Sequence, residues 1–465
     1  MTTGNNSQED ELKCLSLGAV DFITKPYNAL IVKSRIDSVI KLRESSMTLA
    51  AIEKDELTGL YTRQAFYHHA RTYTHFMTEE KFNVVILDVS DFKLINGTYG
   101  TKKGNEVLVY LSNAFRYYVK NGLLTRYEGD QLLGLFHSKV KMDVERINRN
   151  INKIAEEAPI PNIRIKVGIY EDVDTNLSIP VICDRALMAE KSISKDFKTN
   201  VAFYTDEMNQ KQLVQRQMEN DFKSAIANRE FKVYYQPKYD VNTENIVGAE
   251  ALVRWQKPDG TLISPGAFIP LFESDGLVVH LDEYVFENVC QFQKERMENK
   301  LPMVPISVNL SRVSILFNDV VEHYVDIVNQ KQIPFECVPI ELTESATLYS
   351  EKILEITDHL VNAGFTLHMD DFGSGYSSLT SLNELNFSTV KLDKSLIDYL
   401  DQVRGKKIVQ QAIDLGHGLD MKVVAEGVES KEQRDCLKEM HCDMIQGFYY
   451  SKPLKQEDFI EKLRA

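Results

Sequence analysis

The C-terminal half of the chain alternates short apolar runs with longer amphipathic stretches. Eight runs read as strands: FKVYYQP, IVGAEALVRW, MVPISVNLS, CVPIELTES, FTLHMDD, STVKLD, KVVAEGVE and DMIQGFYY. In the fifth, Phe365, Leu367 and Met369 alternate as one face of a strand would. Strands alternating with helical stretches over roughly 250 residues predict a (β/α)8 TIM-like barrel, placed here at 213–465. Each run carries polar or charged groups at its end: Gln236, Glu250, Asn309, Glu341, Asp370 with Asp371, Lys391, Glu426 and Gln446. In such a barrel the strand ends converge on one face, where active sites are built.

The preceding stretch, 46–206, has two β-rich runs, Val84–Val89 and Leu132–Phe136, flanking a helical pattern. That alternation predicts an α/β domain. Ahead of it, residues 1–45 hold GAVDFITKP, a short strand, and a helical pattern from about Asn28. Ile36, Val39, Ile40, Arg43, Met47 and Ala50 suggest one long helix running into the middle domain. The fold class is thus α/β and multidomain.

The predicted ring of strand-end groups defines its own chemistry. Glu250, Asn309, Glu341, Asp370, Asp371 and Glu426 are all oxygen donors, with no Cys or His among them. Hard oxygen sites suit Mg2+ or Mn2+. Five carboxylates exceed the needs of one divalent ion, but two ions about 4 Å apart would share them. Asp370 is placed to bridge both and Asp371 to serve one. Lys391 would contact a phosphate or orient an attacking water. Taken singly, each residue has a plainer reading: Glu250 as an ion-pair partner, Asn309 in a turn, Lys391 as a solvated charge, the Asp pair at a helix start. Their joint occurrence at successive strand ends favours the site. Asp393 and Glu429 are supporting candidates, and Trp255, Tyr234 and Tyr235 read as packing residues.

Charge narrows the partners. The formal charge is −14, from 54 basic and 68 acidic residues. That argues against nucleic acid or an anionic membrane as partner. No 18-residue apolar run or signal-peptide pattern is present, so no membrane span is expected. Six scattered cysteines read as reduced thiols, and the expected location is cytoplasmic. Walker, HExxH and Gly-x-Ser-x-Gly patterns are absent.

Three resemblances follow from the motifs. The Lys25-Pro26 after a strand in GAVDFITKP resembles the last third of a response-regulator receiver domain; a generic strand–helix linker fits the same residues. DELTGLYTR, FNVVILDVSDFKLINGTYG and RYEGDQLLGLF, in that order, resemble a GGDEF (diguanylate cyclase) domain. YQP, EALVRW, SVNLS, ELTES, DDFGSGYSS, KLD, AEGVE and QG resemble the EAL family of cyclic di-GMP phosphodiesterases across the C-terminal domain. This last resemblance implies metal ligands at Glu250, Asn309, Glu341, Asp370, Asp371 and Glu426, with Glu250 and Lys391 catalytic. It places Gln236, Arg254 and Gln446 near the dinucleotide and has Glu344 tie down the loop 372–378. It also implies hydrolysis of cyclic di-GMP to linear pGpG with two divalent cations, and a homodimer. The rival is a sensor that binds cyclic di-GMP without cleaving it; such a protein usually lacks one or more ligands.

The middle domain departs from its family. Glu128 replaces the first Gly of the hairpin motif, Gln131 replaces the acid, and Asn105 stands where an Asp would read guanine. Asp88 and Asp130 remain as acids, and Lys93 and Asn96 match. The RxxD feedback motif is missing, Val119-Lys120-Asn121-Gly122 standing in its place. The expectation is a degenerate, inactive GGDEF domain in a regulatory or structural role, with GTP binding doubtful.

Overall fold

The computed structural model describes residues 2–3, 23–24, 28–76, 81–119, 121–137, 142–193, 199–317, 319–344, 351–374 and 379–464. The chain forms two compact units, Met1–Leu213 and Val214–Ala465. In the first, β1 (Thr2–Thr3) pairs parallel with β2 (Ile23–Thr24). Most of the receiver-like stretch, Lys25-Pro26 included, lies outside the described residues. The long helix is present as Ala29–Glu53, capped by Asn28, whose side chain accepts from the Leu30 amide at 3.0 Å.

The remaining strands of this unit are β3 (Tyr61–Thr62), β4 (Phe82–Val89), β5 (Leu123–Glu128), β6 (Gln131–His137), β7 (Ile165–Tyr170) and β8 (Val201–Phe203). They form one sheet in the order β3-β5-β6-β4-β7-β8. Central β4 shows why the sheet is covered on both faces. Its odd residues Val85, Leu87 and Val89 join one apolar cluster, while Phe82, Val84 and Ile86 join another. Successive strand residues point to opposite faces, so a run apolar at both parities must be buried twice. Helix Thr101–Tyr118 covers one face through Val107, Leu108, Leu111 and Phe115, which share a helical stripe.

The second unit contains β9 (Phe231–Asp240), β10 (Ile246–Gln256), β11 (Leu262–Ile263), β12 (Ile306–Asn309), β13 (Ile340–Thr343), β14 (Leu367–Phe372), β15 (Thr389–Leu392), β16 (Lys422–Glu426) and β17 (Met444–Gln446). Strands β10 and β12–β17 run parallel in sequence order, and β9 pairs with both β17 and β10 to close an eight-stranded barrel. Both β9 pairings are antiparallel. The first connection is therefore a hairpin rather than a helix. Asp240 makes the turn: its Oδ1 accepts from the Asn242 and Thr243 amides and from Thr243 Oγ1, the side-chain turn that Asp readily forms. This direction corrects one expectation. Gln236 and Glu250 sit in mid-strand rather than at strand ends, and they face each other in register.

Aromatic packing closes one side of this unit. Phe222, Phe231, Trp255, Phe268 and Phe272 form one cluster, with Phe272 centred 5.9 Å from the Trp255 ring and 4.8 Å from Phe222. Trp255 Nε1 donates to Glu230 Oε2 at 3.0 Å, which satisfies the buried indole. Because Trp255 is the sole tryptophan, its fluorescence reports on this region alone. Phe272→Ala should destabilise the unit by about 3–5 kcal/mol, read as a lower urea midpoint of the Trp255 signal; an unchanged midpoint would contradict this packing.

Candidate active site

Lys391 organises the barrel interior. It lies on β15, is 1% exposed, and its Nζ reaches four carboxylates. The distances are 2.6 Å to Glu341 Oε2, 2.8 Å to Glu426 Oε1, 2.9 Å to Asp370 Oδ1 and 3.2 Å to Glu250 Oε2. Five strands, β10, β13, β14, β15 and β16, each deliver one member of this cluster. Burial alone would lower the lysine's pKa, but Asp370, Glu250, Glu341 and Glu426 together hold it well above the usual range.

The carboxylates respond differently. Burial raises Glu250 and Asp370 despite Lys391, and pushes Glu426 up to about 8. Burial would also raise Glu341, yet Lys238 and Lys391 overcome it and hold this group well below the carboxylate range. Glu250 is further held by the side-chain amides of Asn309 (2.8 Å) and Gln446 (2.6 Å). Gln446 also donates to Gln236 Oε1 at 3.2 Å, while its own Oε1 is buried and accepts no hydrogen bond.

Asp370 and Asp371 require a distortion. Neighbours in a regular strand point to opposite faces. Here the β14–β15 register slips between Met369 and Phe372, and Asp371 adopts φ 57°. That left-handed conformation is uncommon for a non-glycine residue and tolerated best by Asn and Asp. The Asp371 amide donates to Asp370 Oδ1 at 2.9 Å. As a result both side chains line one cavity of about 430 Å³, with Gln236, Glu250, Lys391, Glu426 and Gln446.

Two sets of three carboxylates bring oxygen atoms within 4.8 Å of one another: Glu250, Glu341 and Asp370, and Asp370, Asp371 and Glu426. Asp370 belongs to both. An all-oxygen donor set with a shared carboxylate fits two hard divalent cations.

Other expected residues fall in different places. Arg254 is half-buried on β10, does not line this cavity, and turns Nη1 onto the Val253 carbonyl at 2.8 Å. Glu344 is 5% exposed just beyond β13; of the loop it was expected to hold, residues 375–378 lie outside the described residues. Asp393 caps the short helix after β15, and Glu429 pairs with Lys394 at 2.5 Å; Glu429 lines the cavity.

Three residues, Lys238, Ser307 and His368, escaped the sequence reading. Lys238 is buried, with Nζ 2.7 Å from Glu341 Oε1 and 2.8 Å from Ser307 Oγ. His368 Nδ1 lies 3.4 Å from the same Glu341 oxygen, and burial lowers its pKa. The signal for Lys238 was available: it is two residues from Gln236, hence on the same strand face.

In the middle domain Asp88 and Asp130 approach each other. Burial, then Asp88, raises Asp130. Buried Glu190, not anticipated, is pushed up to about 7 by burial and then by Asp88. Lys166 is 4.0 Å from it. Glu128 is exposed at the hairpin with Arg63 Nη1 3.8 Å away, Gln131 pairs with it in register, and Asn105 is exposed on its helix. Among the described residues, the three-carboxylate sets tight enough for a metal ion all lie in the barrel. Lys120 of the missing feedback motif is outside the described residues.

Residues 219–453 match the family model described as "EAL domain". The chain belongs to this family. Residues 52–193 match the model "Diguanylate cyclase, GGDEF domain". Among curated relatives, the signaling protein YkoW of Bacillus subtilis is 29% identical over 424 residues, covering 87% of this chain and 52% of that protein. The bifunctional diguanylate cyclase/cyclic di-GMP phosphodiesterase MucR of Pseudomonas aeruginosa is 28% identical over 394 residues, covering 82% and 57%. The chain spans just over half the length of these relatives. Among solved structures, "PaMucR Phosphodiesterase, c-di-GMP complex" aligns at a TM-score of 0.50 with 32% identity, over 52% of this chain and 99% of that one. No helix among the described residues is long and apolar enough to cross a membrane.

The EAL barrel also carries a half-buried acid away from the carboxylate cluster. Asp282 Oδ2 accepts from the Ser311 amide at 2.9 Å and Ser314 Oγ at 2.7 Å, fixing the loop after Asn309. Burial pushes Asp282 from 3.8 up to about 6. The folded chain therefore binds this proton more tightly than the unfolded one. Its contribution to stability is full below about pH 4 and is lost as pH rises through about 6. Wild type should lose ~2–3 kcal/mol more than Asp282→Asn between pH 4 and 7. Parallel urea-unfolding profiles for the two chains would contradict this.

Proposed function

We propose that the EAL barrel hydrolyses cyclic di-GMP to linear pGpG with two divalent cations, Mg2+ or Mn2+. The observation that carries this reading is the pair of three-carboxylate sets sharing Asp370. Glu250, Asn309, Glu341, Asp370, Asp371 and Glu426 would hold the ions; when bound, these supply Lewis acidity and a more acidic water. The name and ligand of the MucR structure support the substrate assignment.

The chain's own residues have separable roles. Lys391 offsets charge on the phosphate and orients the attacking water, since its ammonium already lies at the centre of the ring. Gln236 and Gln446 line the cavity wall and offer amide groups to the dinucleotide. Arg254 lies four residues beyond Glu250 on the same strand face and suits an outlying phosphate through its bidentate fork. Glu344 would hold the loop after β14. A complete set of oxygen donors favours turnover over a binding-only sensor.

Purified protein with cyclic di-GMP and Mn2+ should yield pGpG, and excess chelator should abolish it. Glu250→Ala and Asp370→Ala should each lower kcat/KM by at least about a thousandfold. Turnover that persists in excess chelator would end the two-metal reading.

The same proposal includes a middle domain that makes no cyclic di-GMP. Glu128 puts a carboxylate where the GTP triphosphate would approach. Like charges repel, and although solvent screens this exposed side chain, the repulsion opposes triphosphate binding. Gln131 lacks the acid's charge, and Asn105 alters the donor pattern offered to guanine. Incubation with GTP in a Glu250→Ala background, where hydrolysis cannot hide product, should give no cyclic di-GMP. Its appearance would overturn this assignment.

A further inference from the structure

Glu341 is gripped from two sides. Its Oε2 receives Lys391 at 2.6 Å and its Oε1 receives Lys238 at 2.7 Å. The two lysines differ in position: Lys391 lines the cavity, whereas Lys238 does not. Lys238 comes from β9, where it pairs in register with Gly248, two residues from Glu250 along β10. It is 3% exposed, so its ammonium is buried.

The ammonium is itself fixed. Ser307 Oγ accepts from Lys238 at 2.8 Å and donates to the Ala249 carbonyl at 3.2 Å. A chain of three bonds thus runs from the β10 backbone through Ser307 and Lys238 to one oxygen of Glu341. Holding Oε1, which His368 Nδ1 also approaches at 3.4 Å, restricts rotation of the buried carboxylate and so where its second oxygen can lie. The arrangement leaves Glu341 Oε2 toward Lys391 and the shared cluster.

We propose that Lys238 is a positioning residue for Glu341, setting the orientation in which that carboxylate binds a divalent cation. The inference rests on the metal reading above. Partners that hydrogen-bond a ligating carboxylate are commonly worth ten- to a hundredfold in metal affinity. Coulomb's law alone makes the opposite prediction. Deleting a buried positive charge near the site would favour a cation, so the direction of the change separates positioning from simple charge.

The test is Mn2+ binding followed by electron paramagnetic resonance of the free ion, on the whole chain and without substrate. Wild type should bind Mn2+, and Lys238→Met should bind it about tenfold or more weakly, with its thermal unfolding recorded alongside. Unchanged or tighter binding by folded Lys238→Met overturns the proposal. Should that variant fail to fold, Ser307→Ala carries the test, because it removes only the hydroxyl beneath the ammonium. It should weaken binding about two- to threefold, a fraction of the Lys238 effect, and an unchanged isotherm overturns the proposal. Wild type that binds no Mn2+ would instead refute the metal reading.

Discussion

The barrel depends on one ammonium surrounded by carboxylates. Burying a charge without a partner is prohibitive, and burying several of like sign is worse. Lys391 resolves this locally by lying within 3.2 Å of four of them. It does not neutralise them. Glu250, Glu341, Asp370, Asp371 and Glu426 would outnumber Lys391 and Lys238 by three charges if all were ionised, and burial opposes that by raising Glu250, Asp370 and Glu426. A divalent cation would take the place of the protons so retained, which is the physical basis of the metal proposal. Reading the same cluster as a structural ion pair leaves the excess of acids unexplained.

Strand geometry converts this constraint into a site. Parallel pairing sets neighbouring polar groups side by side: the register aligns Asn309 with Glu341 and Glu426 with Gln446. The antiparallel β9 contributes twice. Gln236 faces the cavity, and Lys238 reaches Glu341 from outside the cavity lining. A helix-linked first strand running the other way would have reversed their order along the barrel axis.

Much of this was legible beforehand. Apolar runs separated by amphipathic stretches disclosed the eight strands, and the acidic residues within them marked the carboxylates that the fold gathers around Lys391. Two features were not legible. Period-two alternation assigns Asp370 and Asp371 to opposite faces, and only the register slip with the left-handed Asp371 brings both to one cavity. The direction of β9 was hidden as well, because a hairpin and a helical crossover can follow the same apolar run; Asp240 with Asn242 and Thr243 was the local clue. Lys238 was passed over because a lysine in a strand usually reads as an outward charge, although its spacing from Gln236 pointed inward. In the middle domain the substitutions were plain, but buried Glu190, between helix residues of ordinary appearance, gave no warning.

Barrel closure joins the first strand to the last. Strand β9 pairs with β17, and Tyr235 exchanges both backbone hydrogen bonds with Leu454. Glu250 needs Gln446, nearly two hundred residues downstream, for its shortest hydrogen bond. During synthesis on the ribosome, β9 and β10 emerge early and wait as a hairpin with an open edge while the rest of the barrel is made. The cavity is closed only once β17 is made, and a nascent chain halted before β17 carries all five carboxylates yet lacks Gln446 and the closed barrel that holds them together.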